Sequence, residues 1–102
     1  MTLDEVYVHD ARLCAVHENC ETQTLILDVD LPANEWSDKL VPKRIILREV
    51  YGYRVDDSPF VGLPAILAID KLEQADRWTK YRIGTNAGER TLYTSGFSIE
   101  DR

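Results

Sequence analysis

The sequence predicts a mainly β domain: about six antiparallel strands in a meander, forming a sandwich, roll or open barrel, with at most one short helix. Three observations predict it. Apolar residues alternate with polar ones at period two through much of the chain. Turn-forming residues interrupt the alternation at short intervals. The length of 102 residues, with 44% apolar and 29% charged side chains, suits one domain, 1–102, with a single unstapled core.

Leu13 to His17 reads as a short first strand, followed by a polar turn from Glu18 to Gln23. Thr24 to Leu31 is the clearest element. Leu25, Leu27, Val29 and Leu31 alternate with Ile26, Asp28 and Asp30, which puts the first set in the core and both aspartates on a wet face. Pro32 ends this strand, since it has no N–H for the ladder. A polar loop from Pro32 to Pro42, containing Trp36, follows.

Lys43 to Val55 reads as one β-rich element whose alternation slips near Glu49 and Val50; Gly52 would permit a β-bulge there. Apolar residues on both faces predict a central strand covered on both sides. Asp56 to Pro59 is a turn. Ala65 to Asp76 admits two readings. Leu63, Ile66, Ile69, Leu72, Ala75 and Trp78 recur every third residue, as on one helix face, yet the neighbouring meander favours a strand. Trp78–Thr85 and Glu89–Ile99 form a hairpin about the turn Asn86-Ala87-Gly88.

Composition narrows the functional classes. The first residues carry Asp4 and Glu5 with no basic residue before an apolar stretch, so no signal peptide is expected, and both ends are expected to fray. The longest apolar run, Ala65 to Ile69, is too short to cross a bilayer. A cytoplasmic location follows as the expectation, with Cys14 and Cys20 as free thiols. Residues 1–38 hold nine acids and one base, a balance of −8; residues 39–102 hold nine acids and eleven bases, a balance of +2. This acidity disfavours nucleic acid and suits a basic protein partner, or simply solubility.

No Gly-rich phosphate loop, nucleophile elbow, CxxC or HExxH motif occurs, and no cofactor is expected. Four groups of residues invite a chemical reading. Cys14-x2-His17-x2-Cys20, with His9, supplies soft zinc ligands. On a regular strand, however, Cys14 and His17 point to opposite faces, and only a bulge or an irregular segment would reunite them. His9-Asp10 could pair as base and orienting carboxylate, but neighbours in extended chain seldom bond through their side chains, so Asp10 reads as a turn residue. Arg77, Lys80, Arg82 and Arg90 beside Trp78, Tyr81 and Tyr93 could hold a single strand of nucleic acid; a charge-protected edge hairpin accounts for them as well. Asp28 and Asp30, near Glu18 and Glu21, form either a solvated face or an acidic docking surface.

His9-Asp10-Ala11-Arg12-Leu13, followed by a short strand, a polar turn and Thr24-Leu25-Ile26-Leu27-Asp28-Val29, resembles small bacterial β proteins that open with His-Asp-Ala or His-Asp-Ser before their first hairpin. Some of these resemble immunity proteins of polymorphic toxin systems. The resemblance covers residues 9–31 in detail and the rest in outline; the Pro32–Pro42 loop and the stretch after Pro64 depart from it. It implies a bacterial β domain and carries over no catalytic residue.

The function expected is a non-enzymatic interaction domain, in the manner of an immunity-like inhibitor. It would use Glu18, Glu21, Asp28 and Asp30, with Trp36 as aromatic anchor, against a basic partner. One alternative is a metal protein or small enzyme built on His9, Cys14, His17 and Cys20. The other is a self-associating structural domain in which a second subunit, as in a homodimer, covers the Lys43–Val55 element.

Overall fold

Alternation in the sequence becomes eight antiparallel strands in a computed structural model that describes all residues, 1–102. The strands are β1 (Ala11–Asn19), β2 (Thr24–Pro32), β3 (Leu40–Arg48), β4 (Tyr51–Asp57), β5 (Ala65–Ala75), β6 (Trp78–Thr85), β7 (Gly88–Thr94) and β8 (Gly96–Asp101). They form one sheet in the order β4-β7-β6-β5-β1-β2-β3-β8. A single 3-10 turn, Leu3–Glu5, precedes them.

The strand count exceeds the expected six because two apparent long strands each break. Lys43–Val55 is not one bulged strand. Glu49 takes a left-handed φ of 50°, which ends β3 and turns the chain into β4. Opposite it, Ser95 separates β7 from β8. The corner is sewn by Ser95 N–H and Thr94 Oγ1, which donate to the Arg48 carbonyl at 3.1 and 2.7 Å, and by Val50 N–H, which donates to the Gln23 carbonyl at 2.7 Å. Thus β3 pairs with β8 and β4 with β7, two halves of one bent ribbon. β3 lies between β2 and β8 but fully buries only Ile45 and Leu47 on one face, and β4 lies at the sheet edge, so the expectation of a central strand covered on both sides fails. The predicted bulge lies further on, between Tyr51 and Arg54, where Gly52 has φ 63°.

Residues 65–75 are a strand, the reading the neighbouring meander favoured, because the register with β6 pairs Ile69 with Ile83 and buries both on one face. The loop after β2 closes at Leu40, before Pro42, which pairs with Asp30 inside β3. A proline is tolerated there because the β8 ladder begins only at Lys43. At the N-terminus Leu3 is fully buried, and its N–H donates to the Tyr81 hydroxyl at 3.2 Å, so this end does not fray.

The core is one cluster drawn from one face of the sheet: Leu13, Leu25, Leu27, Val29, Ile45, Leu47, Ile66, Ile83 and Leu92 are among its buried members. A sheet whose inner face forms one cluster must coil upon itself, and right-handed strand twist supplies that curvature. The turns agree with their sequences. Asn19 Oδ1 accepts from the N–H groups of Glu21 and Thr22 at 3.0 and 3.2 Å, and Gln23 completes the turn at φ 56°. Thr85 Oγ1 accepts from Ala87 and Gly88 N–H at 3.1 and 3.2 Å, closing the β6–β7 turn. Asn86 Oδ1 accepts from Ala65 N–H at 3.0 Å and so stitches that turn to the start of β5. No helix is long and apolar enough to cross a membrane.

Candidate functional site

The outer face of β1, β2 and β3 carries two parallel charge networks. A bulge between Leu13 and Ala15 displaces Cys14 from the ladder and puts it on the same face as His17. Each then meets a different aspartate. His17 Nε2 lies 3.1 Å from Asp28 Oδ2, and Arg44 Nε donates to Asp28 Oδ1 at 2.9 Å. Cys14 Sγ lies 3.5 Å from Asp30 Oδ2, and Arg102 Nη2 donates to Asp30 Oδ1 at 2.7 Å.

These contacts overturn the expectation of a wet acidic face. Asp28 is only 8% exposed. The Arg44 hydrogen bond, with a further one from His17, holds its carboxyl below the usual aspartate range against the opposing effect of burial. Arg102 covers Asp30 and also bonds the Val29 carbonyl at 3.2 Å. Burial first, and then the bond to Asp30, pushes the Cys14 thiol above its ordinary value. Both carboxylates are thus engaged by guanidinium groups of the same chain.

The remaining expected residues lie apart. Glu18 and Glu21 are exposed at the β1–β2 tip, beside a hollow of about 200 Å³ that includes Cys20 and Val50. His9 lies beyond the opposite end of β1, a strand about 30 Å long by its nine residues. The four residues His9, Cys14, His17 and Cys20 therefore do not converge, and no group of three or more His, Cys, Asp or Glu side chains is placed to hold a metal. His9 Nε2 does reach Asp10 Oδ2, at 3.3 Å, contrary to expectation, because Asp10 takes φ 59° and the chain is not extended there.

The basic residues of the C-terminal half do not form a patch either. Arg77 pairs with Glu49 at 2.5 Å and lies 4.5 Å over the Trp78 ring. Lys80 lies over Tyr93, Arg82 pairs with Asp70, and Arg90 pairs with Asp57. Tyr51 and Tyr93 stack on each other at 4.5 Å, and Trp78 meets Tyr51 edge-on. These rings pack on one another, and Tyr81 is buried.

Trp36 stands out against this background of satisfied groups. It is 91% exposed, yet its loop is ordered from within. Asn34 Oδ1 accepts from Trp36 N–H at 2.9 Å, Ser37 N–H donates to the Asn34 carbonyl at 3.2 Å, and Ala33 N–H donates to the Lys39 carbonyl at 2.9 Å. The indole stands at a groove of about 350 Å³ whose walls include Tyr7, His9, Asp10, Arg12, Glu35 and Asp38. Its lining thus holds three carboxylates to one guanidinium and two exposed aromatic rings. Of the groove residues, the sequence singles out Trp36 and, separately, the His9–Asp10 pair. Glu35 and Asp38 sit next to Trp36 in the chain and needed only to be read with it. Asp10 and Tyr7 come from the far side of β1, and no local signal joins them to Trp36.

Comparison with known proteins found no matching family model, no matching curated protein and no matching solved structure. The fold and the groove define an all-β antiparallel domain with an acidic, aromatic-lined surface groove.

Proposed function

We propose that this chain is a non-enzymatic protein-interaction domain that receives a basic segment of a partner protein in the Trp36 groove. The observation that carries the reading is the exposed Trp36 on an internally bonded loop, lining one groove with Asp10, Glu35 and Asp38. A bare indole costs solvation, and ordering it in advance lowers the entropy lost on binding. A Lys or Arg side chain meets both an aromatic face and carboxylates there, which supports cation–π contact and charge-assisted hydrogen bonds. The excess of acid in residues 1–38 would speed the encounter with a basic partner.

An immunity-like inhibitor of a basic bacterial toxin fits this chemistry, since such an inhibitor needs a compact scaffold, a complementary field and an anchor. Glu18 and Glu21 would then contribute to the long-range field from the hairpin tip rather than to the contact itself.

The test is a tagged pull-down from the native host at low and moderate salt, run in parallel with Trp36→Ala and with the pair Glu35→Lys and Asp38→Lys. A basic protein captured by the native chain, weakened by salt and lost in both variants, is the expected result. Equal capture by all three proteins rejects the groove, and no capture by any of them rejects the interaction reading.

A further inference from the structure

We propose that the chain forms a two-fold homodimer by pairing β4 edge to edge with β4 of a second copy, centred on Val55. The inference is independent of the Trp36 groove and rests on a charge pattern at the free edge. β4 pairs with β7 on one side and with no strand on the other. Across the last four strands, one outer-face row reads Asp70, Arg82, Thr91, Arg54. The adjacent row reads Ala68, Gly84, Glu89, Asp56.

The first row contains an ion pair, Arg82 with Asp70 at 3.0 Å, and ends in an unpaired base, since Arg54 makes no ion pair or side-chain hydrogen bond. The second ends in two acids side by side, Glu89 and Asp56, neither of them with a counter-charge. Like charges directly opposite in a ladder are unfavourable, so this edge is electrically incomplete within one chain.

A second copy completes it. In an antiparallel pairing centred on Val55, residue 54 of each chain faces residue 56 of the other. Arg54 then meets the second copy's Asp56, and Asp56 meets its Arg54, so each row gains the charge it lacks. Val55, 49% exposed on the opposite face, packs against its own counterpart. The contact is isologous, as two-fold symmetry requires, and it satisfies the open backbone edge by β-augmentation. The same register brings the exposed Phe60 end of the following loop towards the Tyr51 end of the second copy's strand.

The experiment is sedimentation equilibrium across a concentration series with the native chain, Arg54→Asp, Asp56→Arg, and an equimolar mixture of the two variants. Circular dichroism melts check that each is folded. The native chain is expected to dimerise, more weakly at high salt. Each variant alone places like charges opposite one another and should associate at least roughly tenfold more weakly. The mixture should recover a heterodimer, because one chain then presents acids at both positions and the other presents bases at both. A native monomer at every concentration overturns the proposal. So does dimerisation of either variant at native strength, or failure of folded variants to associate when mixed.

Discussion

Asp28 and Arg44 face each other directly across the β2–β3 ladder, and the arginine Nε donates to the carboxylate at 2.9 Å. Two residues on, Asp30 is held in the same manner by Arg102, which arrives from the end of the chain. The acids that dominate residues 1–38 are thus partly neutralised by bases from later in the chain, and the field that remains is concentrated in loops.

The Asp28 pairing predicts an acid-side effect on stability. Its folded carboxyl titrates below the ordinary aspartate range, chiefly through the Arg44 hydrogen bond. A depressed pKa contributes stability that is present above the unfolded value and is lost as pH falls through the folded one. Urea unfolding of Asp28→Asn between mildly acidic and strongly acidic pH should show a flatter loss than the native chain. Near neutrality the variant should be less stable by about 1–2 kcal/mol, below the cost of breaking a fully buried pair because Arg44 can rehydrate. Identical pH profiles for the two proteins exclude this role.

The two thiols should differ in reactivity. Cys20 is exposed at the hairpin tip, while Cys14 is partly covered and held protonated by its surroundings. Because only the thiolate attacks, a disulfide reagent at mildly alkaline pH should modify Cys20 first. Asp30→Asn should speed the slower phase, since it removes the carboxylate that opposes ionisation of Cys14. Faster labelling of Cys14 than of Cys20, read by peptide mass mapping, contradicts this.

Gly88 should tolerate no side chain. Its φ is 153°, and an added Cβ would lie 2.2 Å from the Asp56 carbonyl oxygen. Gly88→Ala must therefore push β4 from β7, at a cost of roughly 1–3 kcal/mol. Hydrogen exchange should show lost protection in β4 before any other strand.

Core and surface leucines should separate cleanly. Leu27 is buried in the central cluster, so Leu27→Ala should lose about 2–5 kcal/mol in chemical denaturation. Leu72 lies exposed on β5, and Leu72→Ala should change stability by no more than about 0.5 kcal/mol. Similar losses at both sites would place Leu72 in a covered surface, such as an interface.

Much of the β character was legible in advance. In β6 the inward set Thr79, Tyr81, Ile83 and Thr85 is buried as alternation predicts, and β2 buries Leu25, Leu27, Val29 and Leu31 in the same way. The hairpin at Asn86-Ala87-Gly88 was legible because its turn residues are local signals, and Gly88 takes the positive φ. The slip of alternation near Glu49 marked the place of the corner but not its kind: it reads equally as a bulge within one strand until the strands beside it are seen to end. The candidate site was legible only in separate pieces, Trp36 and the His9–Asp10 pair, with nothing local to show that they share a groove.

The alternation, and with it the strands, their inward faces and the turns between most of them, is written in the order of residues along the chain. Those properties arise from side-chain periodicity and local backbone preference. The tertiary structure alone decided which strand is an edge, which acids are neutralised and which are left free, and that Asp10 and Tyr7 share a groove with Trp36. Those depend on register between segments far apart in the chain: Asp30 and Arg102 are 72 residues apart and meet only because β8 returns to pair with β3.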